Sequence, residues 1–278
     1  MKVQGRRQSR NIQDRRAGGG AMMLGGAGIV IAIIFTLITG DPSHLFNAAV
    51  NQNVNQEFVE TAEEKRMAEY VGVVLADTED VWHHVFEQYG RQYKEPSLIL
   101  FKNQVNSGCG MATSAVGPFN CPADYNIYID LVFHQELRDR FQAKGDFGMA
   151  YVIAHEVGHH VQNLLGISDE VHALRGRLNE TEYNKVLKRL ELQADYLAGV
   201  WTHYQEANNL LDINDIREAM EAAAAVGDDR IQESTMGYVV PDKFTHGTSE
   251  QRMRWFYKGY QSGNLEDGNT FEISESDL

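Results

Sequence analysis

Residues 151–165 read YVIAHEVGHHVQNLL, an apolar run broken by His155, Glu156, His159 and His160. Its apolar residues fall nearly all round a helical wheel, so the pattern predicts a central, buried helix. Asp146 is the expected N-cap and Gly166 the expected C-terminal stop. Burying a carboxylate and imidazoles costs free energy unless something satisfies them. The H-E-x-x-H spacing supplies a reason. Residues four apart lie one above the other on a helix, so His155 and His159 can each aim a ring nitrogen at one Zn²⁺. Glu156, offset by one position, reaches a water beside the ion rather than the ion itself. Zinc lowers the pKa of water towards neutrality, and Glu156 can take the proton and pass it to a leaving group. The competing reading is a set of core histidines with no metal. His160 falls outside the four-residue geometry and reads as supporting or structural.

A catalytic zinc usually has three protein ligands and one open position. A third histidine at the spacing H-E-x-x-H-x-x-G-x-x-H is ruled out, because Gln162 and Leu165 stand at the last two key positions. The remaining candidates are downstream carboxylates: Asp169, Glu170, Glu180, Glu182, Glu191 and Asp195. Glu191 is the best of them. With Asp195 it forms a pair four apart on the largely apolar helix expected over 181–207, repeating the geometry of the two histidines. Glu191 is read as the third ligand. Asp195 is read as accepting a hydrogen bond from a ligand histidine's other nitrogen. The bland alternative is an acidic face pairing with Lys188 or Arg189.

The rest of the chain frames this site. The net charge is −14, but residues 1–20 hold six basic residues against one acid, so the remainder carries −19. That acidity argues against nucleic acid as a partner. Residues 21–40, AMMLGGAGIVIAIIFTLITG, carry no charge and match the roughly 20 residues needed to cross a bilayer. With basic residues on one side only, they predict an uncleaved anchor with a cytoplasmic N-terminus and everything after Asp41 outside, in the periplasm or cell exterior. A cleaved signal peptide is the alternative. The expected organisation is a basic cytoplasmic head (1–20), a transmembrane anchor (21–40), a polar linker (41–56), one catalytic domain (57–262) and an acidic, mobile tail (263–278). Helices are expected over 57–90, with a second start at Asp77 or Thr78, and over 213–226. Another begins at Thr248 with a capping-box pattern to Gln251. Strands are expected at SLILF (97–101) and NIYIDLVF (126–133). The only cysteines, Cys109 and Cys121, read as one disulfide outside the cytoplasm, worth roughly 3 kcal/mol.

AHEVGHHVQ followed by ELQADYLAG resembles the gluzincin metallopeptidases. More closely, the whole chain resembles the bacterial membrane-anchored predicted neutral zinc metallopeptidases. The basic head and apolar run, SGCGMATSAVGPFNCPAD, IYIDL and THGTSEQR add to the likeness, with Asn120 as a departure where an aromatic residue is expected. The resemblance implies an α+β, zincin-like fold, mostly helical with a small β-sheet and preceded by one transmembrane helix. It implies one Zn²⁺ per chain on His155, His159 and Glu191, with Glu156 as general base and a peptide or protein as substrate.

Two further features suit peptide hydrolysis. An extended substrate needs a strand edge, and residues 109–119 could provide one. A developing oxyanion needs a donor besides zinc. His246 is the leading candidate, with Tyr196, Tyr238 and Arg252 behind it. The rival from another class is a non-catalytic envelope interaction module stabilised by zinc, which would need a fourth protein ligand such as Asp195 or His246. A zinc-free scaffold is the third reading.

Overall fold

The computed structural model describes residues 1–18, 58–139 and 145–278. The chain opens with strand β1 (Ile12–Asp14), and helix α1 (Ala62–Gln88) follows. Thr61 caps α1 through a capping box: its hydroxyl accepts from the Glu64 N–H, and the Glu64 carboxylate accepts from the Thr61 N–H. The expected second start at Asp77 or Thr78 does not occur. Thr78 turns its hydroxyl back onto the Leu75 carbonyl, and Asp77 is paired, so α1 runs through.

Strands β2 (Ser97–Phe101), β3 (Gln104–Ser107), β4 (Gly110–Thr113), β5 (Phe119–Cys121) and β6 (Asn126–Asp130) come next. They form a four-stranded sheet in the order β1-β2-β6-β5 and a separate β3–β4 hairpin. β1, β2 and β6 are parallel, and β5 is antiparallel to β6. Side chains of β2 alternate across the sheet. Leu98 and Leu100 join the main helical core, and Ile99 and Phe101 join a small cluster with Tyr128 and Cys121. The second expected strand ends at Asp130, after which helix α2 (Val132–Asp139) begins. Cys109 and Cys121 form the expected disulfide, which ties the β3–β4 turn to β5.

The helical layer comprises α3 (Phe147–Leu165), α4 (Ile167–His172), α5 (Glu180–Ala207), α6 (Asp215–Ala225), α7 (Asp228–Met236) and α8 (Ser249–Ser262). α3 is buried along most of its length and ends at Gly166 in the left-handed conformation, as its sequence predicts. Asp146 stands at the expected N-cap position, but its side chain makes no capping bond; its carboxylate goes to Arg66 instead. Thr248 and Gln251 form the expected capping box at α8. Two close crossings set the layer's geometry. A Cβ on Gly158 would stand 3.0 Å from the Ala194 carbonyl oxygen, so α3 lies hard against α5. A Cβ on Gly259 would come within 1.9 Å of the Tyr196 oxygen, so α8 packs against the other side of α5 with no room for a side chain.

The expected transmembrane helix requires correction. Among the described residues no helix is long and apolar enough to cross a membrane. Residues 21–40, where it was placed, lie outside the described residues. The fold supported here is mostly helical with small sheets, and no helix among the described residues supports the expected single-pass topology. The basic head has another role. β1 extends the sheet beside β2, Arg6 makes a two-pronged pair with Asp77, and Arg7 pairs with Glu79. The acidic tail is likewise packed: Thr270 is buried against α5, and the Trp255 indole N–H donates to the Leu278 carbonyl.

Burial lifts the Asp77 carboxyl to about 6, even with Arg6 drawing it down. The folded chain therefore holds this proton more tightly than the unfolded one, and ionising Asp77 costs stability as pH rises from 3.8 through about 6. Arg6 limits that cost. Arg6→Ala is expected to lose about 3 kcal/mol at pH 8 and much less at pH 5, where Asp77 largely keeps its proton. Urea unfolding at the two pH values checks this; equal losses at both would contradict it.

Candidate metal centre

The α3–α5 crossing at Gly158 places His155 and His159 opposite Glu191. The Nε2 atoms of the two histidines lie 3.2 and 3.4 Å from Glu191 Oε2. The three donor atoms all fall within 4.8 Å of one another, the one such His/Cys/Asp/Glu group among the described residues. Zinc–ligand bonds of about 2.0–2.1 Å in a tetrahedron put neighbouring ligand atoms about 3.3 Å apart. The two measured separations match that spacing, so the residues fit a small tetrahedral cation.

The chemistry of the donors fits as well. Asp195 is fully buried on α5, and its Oδ1 accepts from His155 Nδ1 at 2.8 Å. The same carboxylate accepts from the Tyr151 hydroxyl and, twice, from the Arg252 guanidinium at 2.9 and 3.0 Å. An ionised carboxylate only accepts, so His155 carries its proton on Nδ1 facing Asp195. Burial alone would raise Asp195, but Arg252 and His155 bring it down to about 2. Burial opposes a charge on His155, but Asp195 and Glu191 outweigh it and push its pKa up to about 9. Burial would also raise Glu191, yet His159, His246 and His155 hold it well below the ordinary carboxylate range. The cluster is thus a concentrated negative field aimed at one point, and a cation arriving there would displace protons.

Glu156 lies on α3 beside the cluster, 8% exposed, and takes no hydrogen bond from another described residue. His246 stands half exposed in the loop before α8. Its Nδ1 lies 3.1 Å from Asp228 Oδ1, while Asp228 Oδ2 accepts the backbone N–H groups of Thr245, His246 and Gly247. Partial burial works against its charged form, but Glu191 and Asp228 raise its pKa, which puts His246 within the field of the cluster.

The other donors considered for this role lie elsewhere. Tyr196 donates to the Asn264 carbonyl under the C-terminal segment, and Tyr238 is exposed beyond α7. Arg252 is buried behind His155, committed to Asp195. His160 points to the sheet side, where its Nε2 donates to the Lys94 carbonyl at 2.6 Å and burial pushes its pKa down to about 4.

A family model described as "Putative neutral zinc metallopeptidase" matches residues 1–271. The chain belongs to this family. Uncharacterized protein YpfJ of Escherichia coli (strain K12) is 43% identical over 284 residues, covering 98% of this chain and 99% of that one. Uncharacterized protein Rv2575 of Mycobacterium tuberculosis (strain ATCC 25618 / H37Rv) is 44% identical over 196 residues, covering 66% and 64%. No solved structure matches the chain at a significant level. Membership of a zinc-peptidase family and a His-His-Glu cluster able to hold a metal thus point the same way.

Four residues around the cluster in this family member escaped the sequence reading. Tyr151 and Gln162 sit four before His155 and three after His159, spacings that share a helix face and so carried a usable signal. Gln193 and Asp228 carried none, because their contacts are made across the tertiary structure. Arg252 was considered only as an oxyanion donor, yet it is the counter-charge of Asp195. Arg252→Met would leave that buried carboxylate without its cation. It is expected to cost about 3–5 kcal/mol, read as a fall in the urea midpoint. An unchanged midpoint would show that Asp195 is balanced by something else.

Proposed function

We propose that this protein is a zinc-dependent peptidase whose metal is held by His155, His159 and Glu191, with Glu156 as general base. The observation that carries the reading is the convergence of three donor atoms within 4.8 Å of one another, the two imidazole nitrogens 3.2 and 3.4 Å from Glu191 Oε2, with the Glu156 carboxylate beside them. Bound zinc would supply Lewis acidity towards a peptide carbonyl and lower the pKa of a neighbouring water. Glu156 accepts a proton from the attacking water at its carboxylate and returns it to the departing amine nitrogen. Asp195 keeps the His155 proton on Nδ1, so Nε2 stays free to donate its lone pair. His246, oriented by Asp228 at Nδ1 and with its ring protonated, the form that Glu191 and Asp228 favour, offers Nε2–H as a hydrogen-bond donor to the oxygen that gains charge. The substrate is an extended peptide, and the β4 segment within residues 109–119, which among the described strands pairs only with β3, offers an edge for it.

Of the two candidate fourth ligands of a structural zinc module, Asp195 is already engaged by His155, Tyr151 and Arg252, which leaves His246 as the alternative to an open position. Glu156→Gln is expected to lower peptide hydrolysis by about 10²–10⁴-fold while one zinc per chain is retained, measured by elemental analysis beside a peptide-cleavage assay. Full activity with zinc bound would remove Glu156 from the mechanism. His155→Ala/His159→Ala should lose the zinc altogether; a double variant that keeps it would place the metal elsewhere.

A further inference from the structure

The two candidate ligand histidines are held by different chemistry. His155 faces the Asp195 carboxylate, whereas His159 Nδ1 lies 2.8 Å from Oε1 of Gln162, a neutral amide one turn further along α3. An amide alone does not fix a tautomer, because it can present either its oxygen or its NH₂ group. Here its orientation is determined. Gln162 is fully buried, and its Nε2 lies 2.7 Å from the Leu190 carbonyl oxygen and 3.0 Å from Gln193 Oε1. A backbone carbonyl only accepts, so the atom facing Leu190 must be the NH₂ group. Gln193 is oriented by the same logic, since its Nε2 donates to the Gly268 carbonyl at 3.1 Å. Its oxygen is therefore the atom turned to Gln162.

We propose that Gln162 is a positioning residue that fixes the tautomer of His159, with Gln193 and the Gly268 carbonyl as its anchor. Two backbone carbonyls, Leu190 in α5 and Gly268 in the C-terminal segment, set the direction of the whole chain of amides. Gln162 Oε1 must then accept, His159 must carry a proton on Nδ1, and Nε2, which faces Glu191, is the nitrogen left for a metal. The C-terminal segment thereby becomes part of the metal centre's support, although it supplies no ligand. A neutral amide also does this without adding a second uncompensated carboxylate to a site that already holds Glu191.

The inference rests on the metal-site reading above, and its test separates the two. Zinc affinity of the full chain is measured by competition with a chromogenic chelator, for wild type and for Gln162→Leu, a change of similar volume with no polar atoms. The expected result is a loss of about 10–100-fold in affinity, with folding monitored by circular dichroism. Gln193→Leu, which leaves the Gln162–His159 bond in place, should give a smaller loss in the same direction. A readout independent of any variant is the ¹⁵N–¹H correlation of His159 in zinc-loaded wild type. It should show a slowly exchanging proton on Nδ1 and the metal on Nε2. Unchanged affinity in folded Gln162→Leu, or metal on Nδ1 of His159, would overturn the proposal while leaving the site reading intact. A wild-type chain that binds no zinc would overturn both.

Discussion

The buried Asp195 carboxylate is the interaction on which the rest of the structure depends. It lies on α5, with no exposure to solvent, and it gathers Tyr151 and His155 from α3 and Arg252 from α8. A lone carboxylate in that position would be too costly to keep ionised. Arg252 provides the charge that makes it tolerable, and the hydrogen bonds from Tyr151 and His155 satisfy the remaining acceptor capacity. Three helices are locked in register by one side chain. That register is what sets His155 Nε2 against Glu191.

Backbone proximity makes the network reachable. Gly158 lies between the two histidines in the motif and permits α3 to approach α5 at Ala194. A longer interhelical distance would leave Glu191 short of both imidazoles. On the far side of α5 the Gly259 contact draws α8 in, so that Arg252 reaches Asp195 from behind. The small residues and the charged ones therefore act together: the glycines set distances, and the ionic network sets orientations. The field that results is negative at the cluster and balanced behind it, which suits a cation at the front of His155 and His159.

Much of this was legible in the sequence because it rests on local spacing. The α3 and α5 helices, the capping box at Thr248, the Gly166 stop and the SLILF strand all follow from periodicity and cap chemistry within a few residues. The pairing of two i, i+4 motifs across two helices followed from ligand arithmetic. What failed was long-range. The head's positive charge has two readings, a membrane-flanking signal or a set of partners for buried acids, and only the tertiary structure shows Arg6 on Asp77 and β1 beside β2. The expected break in α1 failed because Asp77 and Thr78 found partners that suit a helix interior. The tail's acidity suggested a mobile end, but Glu275 pairs with Lys188 and Arg189 on α5, the very residues that could have neutralised Glu191. Asp228 and Gln193 lie in segments whose relevance exists only once the chain is folded.

The central claim is that one zinc ion sits where His155, His159 and Glu191 converge, with a coordination position left open. X-ray absorption at the zinc edge, on the purified full chain carrying one zinc, tests it most directly. The account predicts two imidazole nitrogens and two oxygens, one of them exchangeable, all at about 2.0–2.2 Å, with no sulfur. A shell that includes sulfur, or four ligands from the protein and none exchangeable, would contradict it.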